Sequence, residues 1–264
     1  NVFNLILFAG VRFFGAVLLT LLISRPLTGD KPSFNKAMTG PVLVLALTQT
    51  AGQYISFYLG LAVVTGSVGA ILSATNIFFT VIIATIFMRS EKLTTQKILA
   101  TLLALVGIIV LNLDSNLNFA FRLNGEGFVL LSALANAFAS IFMSRFSQKH
   151  NPISLTAYQF ILGGAGLRLV GCFGGGRLNA PGYQGILVLA YLMVLSALAY
   201  GIWSLLLKHH PTSHVIIFHA LVPVWGSLFS WLFMGDQIWN WQTLVALLSI
   251  VIGIFLVNKQ KEKF

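Results

Sequence analysis

Residues 66–112 recur as residues 212–258, at a constant offset of 146 and without a gap. Ser67/Ser213, Ala74/Ala220, Phe87/Phe233, Met88/Met234, Gln96/Gln242, Gly107/Gly253, Ile108/Ile254 and Asn112/Asn258 are identical pairs. The register extends upstream through Ala51/Ala197, Tyr54/Tyr200, Leu59/Leu205 and Leu61/Leu207. A chain written twice folds as two related units that must pack on one another.

The solvent for those units follows from charge. Only 8% of the residues are charged and 57% are apolar, whereas a water-soluble domain needs about 25% charged residues. Such a chain cannot cover a water-facing surface, so it is expected to be an integral membrane protein. A duplicated apolar block is a common build of carriers, whose halves move about a site between them. The net charge of +10 would suggest nucleic acid in a soluble chain. Here the basic residues sit between apolar runs, where they set topology and meet anionic lipid, so no nucleic-acid partner is expected. A lone Cys172 excludes an internal disulfide, and no Asn-x-Ser/Thr sequon occurs.

A helix crosses the hydrocarbon with about 20 apolar residues. Nine runs qualify, at roughly 2–24, 40–60, 66–88, 95–113, 125–146, 154–174, 184–207, 213–234 and 240–258. Breakers separate them: Arg25-Pro26, Lys31-Pro32, Asn151-Pro152, Gly174-Gly175-Gly176, Pro181-Gly182 and His210-Pro211. The runs lack the two-residue alternation of a membrane β-barrel. The polar stretch 113–124 is the natural repeat boundary, giving a first repeat over 1–113, a connection over 114–124 and a second repeat over 125–264. The offset places a counterpart of span 125–146 before Asn1, so five helices per repeat and ten in all are expected, the first absent from this chain.

Basic residues divide unequally between the two ends of the spans. Arg25, Lys31, Lys36, Arg89, Lys92, Lys97, Arg145, Lys149, Lys208, Lys259, Lys261 and Lys263 share one face. Arg122, Arg168 and Arg177 lie at the other. The positive-inside rule makes the first face cytoplasmic and puts the C-terminus there. An odd helix count per repeat forces the copies to insert upside down. Loop 89–97 carries Arg89, Lys92 and Lys97, and its copy 235–243 carries no basic residue, as inversion requires.

The segment GSVGAILSATNIFFTVIIATIFMRSEKLTTQKILATLLALVGIIVLN resembles the EamA-like branch of the drug/metabolite transporter superfamily. The resemblance lies in a small-residue start, a long apolar helix, a short acidic turn, and a helix ending in Gly and aliphatic residues. HALVPVWGSLFSWLFMGDQ matches in the second copy, with Pro223 inside the helix, and Arg12-Phe13 resembles the family's Arg-Phe pair. The second copy departs from the pattern in having Gln237, after Asp236, where the first has Glu91. The resemblance implies an all-α membrane protein of ten helices in two inverted five-helix bundles around a central cavity. It also implies transport of solutes that range from amino acids and metabolites to nucleotide sugars and drugs, in a bacterial inner membrane.

Polar side chains inside the membrane mark candidate sites because they face protein or a water cavity. Arg12 is the one basic residue well inside a span, suited to meet a carboxylate or to bond backbone carbonyls structurally. Gln49 and Gln53 share a helix face with Tyr54 beside them. Tyr54 pairs by repeat with Tyr200, and Thr50 with Ser196, so the two tyrosines are placed to close a cavity about the repeat axis; the alternative is plain interhelical hydrogen bonding. Thr75, Asn76 and Asn136 sit in mid-span. His219, the copy of Ser73, precedes Pro223 by one turn and is a candidate proton relay or the cap of a helix break. Trp203 is one step from Tyr200, while most other aromatics, Tyr158, Tyr191, Trp225, Trp231, Trp239 and Trp241 among them, suit packing or interfacial belts.

The acids Asp30, Glu91, Asp114, Glu126, Asp236 and Glu262 fall in loops or at span ends. That favours facilitated diffusion, exchange or His/Tyr coupling over a carboxylate relay, and a small amphipathic substrate such as an amino acid over a highly anionic one. No cofactor or metal is expected. His209, His210 and His214 cluster at one span end, which keeps a membrane-embedded enzyme acting on lipid-linked substrates as an alternative, with a receptor or scaffold as another.

Overall fold

The computed structural model describes residues 1–29, 31–64, 66–88, 93–111, 121–178, 182–234 and 241–258. Expectations for Asp30, Arg89, Glu91, Lys92, Asn112, Asp114, Pro181, Asp236, Gln237, Trp239 and 259–264 lie outside that range, as do those for the side chains of Gly66, Ser67, Pro223, Trp231, Phe233, Met234 and Asn258. Every element among the described residues is helical. In hydrocarbon each backbone N–H and C=O must be satisfied within the segment, which a helix does.

Among the described residues nine helical runs follow one another, close to the nine apolar runs of the sequence. They are α1 (Val2–Thr28), α2 (Lys36–Leu61), α3 (Gly66–Phe87), α4 (Thr95–Leu111), α5 (Leu123–Ser147), α6 (Pro152–Phe173), α7 (Tyr183–His209), α8 (212–234) and α9 (Trp241–Asn258). Six of them, α1, α2, α3, α5, α6 and α7, are long and apolar enough to span a membrane by length and composition alone.

Local chemistry sets the ends. The Asn151 side chain accepts hydrogen bonds from the Ile153 and Ser154 N–H groups at 3.0 and 3.1 Å, and Pro152 takes the first helical position, where its missing donor costs nothing. Arg25-Pro26, read in the sequence as a break, lies inside α1. Proline in a last turn forfeits one carbonyl partner and does not stop the helix. The stop comes at Gly29, whose φ of 74° and N–H bond to the Arg25 carbonyl at 2.9 Å close the turn left-handed.

α2 opens on a 3-10 turn at Lys36–Met38 and α5 on a π turn at Leu123–Gly127, and two helices depart from α geometry in mid-helix. α2 carries a π turn at Ala46–Ala51, and α8 tightens into a 3-10 turn at Ile217–Ala220 between two α segments. The sequence suggests the second through Pro223, whereas the first closes on Ala51-Gly52, where only glycine leaves room for the Leu47 carbonyl oxygen.

The main packing joins α1 to α6 and α4 to α9, each helix to the one starting about 146 residues later. Along α1 and α6, Phe3 lies by Gly174 and Gly176, Leu7 by Gly171, and Gly10 by Gly164 and Arg168. Numbers rise on one helix as they fall on the other, so the pair is antiparallel. The α4/α9 contact is reciprocal. A Cβ on Gly107 would come 3.0 Å from the Ala246 carbonyl oxygen, and one on Gly253 would come 2.9 Å from the Ala100 carbonyl oxygen. Glycine at both positions lets these antiparallel backbones touch. α3 packs on α5, and α7 turns a broad apolar face outward.

Candidate functional site

The two irregular turns flank the same interior space. The π turn carries Gln49, and the 3-10 turn carries His219. Between them lies a cavity of about 210 Å3 lined by Gln49, Asn136, Ala199, Tyr200, Trp203 and His219, drawn from α2, α5, α7 and α8. His219 also lines a larger neighbouring cavity of about 470 Å3, with Phe57, Leu61, Gly69, Ala70, Ser73, Ala74, Asn76, Ile108 and Val222. Ser73 and His219 are repeat copies, as are Asn76 and Val222, so this cavity straddles the relation between the two halves. Leu61 and Gly69 place its far end at the α2–α3 turn.

Hydrogen bonds tie the polar groups into two short chains. The Asn76 Nδ2 donates to Asn136 Oδ1 at 3.3 Å and lies 3.0 Å from His219 Nδ1. The His219 ring stacks on Trp203 with centroids 4.3 Å apart and 18° between planes. In the second chain, Gln159 Nε2 donates to Gln49 Oε1 at 2.6 Å. Asn76 Oδ1, Gln53 Oε1, Ser73 Oγ and Gln159 Oε1 are buried with no hydrogen-bond partner, a costly state that functional sites tolerate more than cores do.

Beside the smaller cavity, the hydroxyls of Tyr54 and Tyr200 are hydrogen-bonded at 2.8 Å. The Phe13 ring meets both tyrosines edge-on, at 4.8 and 5.8 Å, and Phe160 lies 4.9 Å from Phe13 and 5.3 Å from Tyr200. These rings lock α1, α2, α6 and α7 together. The Arg12 guanidinium rests 4.4 Å over the Phe13 ring and 5.3 Å from the Tyr54 ring centroid, with its Nε buried and unpartnered.

The sequence candidates therefore divide. Gln49, Asn136, Tyr200, Trp203 and His219 come together around one cavity, and Asn76 joins them from the next. Tyr54 meets its own repeat copy. Arg12 and Gln53 line neither cavity. The Thr75 hydroxyl donates to the Leu72 carbonyl at 2.6 Å and the Ser196 hydroxyl to the Leu192 carbonyl at 2.7 Å, so both turn back on their own helices. Sequence reasoning passed over Gln159, a fully buried amide in α6 that orients Gln49. Its signal was a lone amide in an apolar run, without the second amide one turn on that drew notice to Gln49. Among the described residues no group of three His, Cys, Asp or Glu stands close enough to hold a metal.

The profile of the EamA-like transporter family matches residues 1–113 and 123–259. A protein of Bacillus subtilis (strain 168) named as an uncharacterized transporter, YoaV, is 28% identical over 262 residues, which cover 95% of this chain and 86% of that protein. A second from the same organism, YyaM, named likewise, is 25% identical over 250 residues, covering 92% and 80%. One solved protein structure superposes with a TM-score of 0.82 at 15% identity, over 96% of this chain and 88% of its own, a likeness of fold.

Proposed function

The chain belongs to the EamA-like transporter family and is an integral membrane transporter; we propose that it is a secondary carrier, not an enzyme, that exports small metabolites such as amino acids by alternating access. The observation that carries the reading is the central cavity, lined by neutral polar and aromatic side chains from helices of both repeats.

The two repeats are inverted in this proposal. Support comes from the antiparallel packing of α1 with α6 and of α4 with α9, each helix against its own copy. A two-fold axis in the membrane plane produces that contact, and an axis along the membrane normal leaves copies parallel. The Tyr54–Tyr200 bond spans the same relation, since its partners are 146 residues apart. Rocking of the halves about this axis exposes the cavity to each side in turn.

The basic residues put the ends of α1, α5 and α7 at the cytoplasmic face of a bacterial inner membrane. The reach of the larger cavity to the opposite end, at the α2–α3 turn, supports an outward-facing reading of this conformation. The test is counterflow. Proteoliposomes preloaded with an unlabelled amino acid take up the same labelled amino acid faster than empty ones if the chain is a carrier. A panel of amino acids giving protein-free leak rates throughout rejects the amino acid assignment.

A further inference from the structure

We infer that Asn76 fixes the hydrogen-bond polarity of the central cavity, so that the transported molecule presents a planar oxygen acceptor, a carboxylate or a conjugated carbonyl, to neutral N–H donors. The inference rests on that cavity being the transport site.

An amide nitrogen carries two hydrogens and no lone pair to share. The Asn76 Nδ2 points one hydrogen at Asn136 Oδ1 and the other at His219 Nδ1. His219 Nδ1 must then accept, which places the ring proton on Nε2. With one lone pair of its oxygen turned to Asn76, Asn136 keeps both hydrogens of its NH2 group for the cavity. The same logic holds at Gln49, whose oxygen accepts from Gln159 and whose NH2 stays free. Trp203 has only an N–H to offer. Four neutral donors from four helices thus line one space beside the Tyr200 hydroxyl, which is bonded to Tyr54, and no described hydrogen bond engages the four. The carbonyl oxygen of the trio that lacks a partner, Asn76 Oδ1, is buried beyond a ligand's reach.

Such a lining selects against molecules that offer only donors, because each unpaired buried N–H costs desolvation energy. It also separates recognition from charge. Arg12, the basic residue nearest in kind to a carboxylate partner, lies over Phe13 and Tyr54 outside the cavity lining. Asn76 acts as a positioning residue, through His219 and Asn136.

The probes are 3-phenylpropionate, 3-phenylpropanamide and phenethylamine, which share a ring and differ in the group offered to the donors. Titration of the purified protein in detergent, by calorimetry and thermal unfolding, should detect the propionate or the propanamide and not the amine. Propionate alone assigns a carboxylate, and both together extend the site to neutral carbonyls. Asn76→Asp, which replaces the donor by an acceptor, and Asn136→Asp should each weaken binding by about tenfold or more. Trp203→Phe, which keeps the ring and deletes the N–H, should weaken it by about fivefold, and it decides the matter if Asn76→Asp fails to fold. Phenethylamine binding as tightly as the propionate, no probe binding, wild-type affinity in a folded Asn76→Asp, or wild-type affinity in both Asn136→Asp and Trp203→Phe overturns the inference. Binding without counterflow sinks the carrier reading alone, whereas counterflow indifferent to the acceptor group sinks this one alone.

Discussion

Tyr54 and Tyr200 show how a side chain inherits its role from the duplication. Each is the copy of the other, and their hydroxyls share one hydrogen bond. Deleting either hydroxyl breaks the whole interaction, so Tyr54→Phe and Tyr200→Phe are expected to cost about 0.5–1 kcal/mol each. The double variant should cost no more than the larger single one, and a double-mutant cycle of unfolding measures that coupling. Simple additivity would place the two groups out of contact. Truncation to alanine removes the rings that hold Phe13 and Phe160, so Tyr54→Ala is expected to abolish transport and lower stability by about 3 kcal/mol. Uptake measured beside size-exclusion profiles checks both effects. The tyrosine pair was legible in the sequence because the offset named it. The Asn76–His219 bond was not, since its partners lie 143 residues apart and are not repeat copies.

Helices carry the next level. Their number and order were legible because length and apolarity are the requirements of a membrane span. Irregularities inside them were legible only where a residue type causes them. Pro223 hints at the turn holding His219, while the π turn at Ala46–Ala51 closes at Gly52, whose N–H meets the Leu47 carbonyl and where a Cβ would collide with that oxygen, a signal that one glycine among 24 does not make legible. The antiparallel α4/α9 contact gives a paired prediction. Gly107→Ala pushes a methyl into the Ala246 carbonyl, and Gly253→Ala does the same to Ala100. Both variants are expected to lose about 1–3 kcal/mol, and by similar amounts, because the two sites share one geometry. Thermal unfolding that moves one and spares the other would contradict a shared contact.

At the scale of the molecule, the proposed inversion makes a prediction about sidedness. Cysteines placed singly at Lys31 and Arg177, with Cys172 replaced by serine, should react with an impermeant maleimide from opposite sides of the membrane. Lys31 is expected to label from the cytoplasm and Arg177 from outside. Labelling of both from the same side would reverse the assignment of α1 or α6 to its face. The polar gap at 113–124 offers a repeat boundary in the sequence, whereas a cavity leaves no such sign, since it depends on how far helices stand apart. The sequence named Gln49 and Asn136 for polarity in mid-span, Tyr200 for its repeat partner, Trp203 for its step from Tyr200 and His219 for its place before Pro223. Their meeting around one space required the packing of four helices.

The most direct test of alternating access reads the cavity itself from both sides. Ser73, the repeat copy of His219, lines the larger cavity, and Ser73→Cys in the Cys172→Ser background places one thiol there. Impermeant maleimide is applied to right-side-out and inside-out vesicles, with and without a transported solute. The account predicts labelling from each side, with the solute shifting the two rates in opposite directions. A thiol that reacts from one side only, unchanged by any solute that the protein moves, would contradict it.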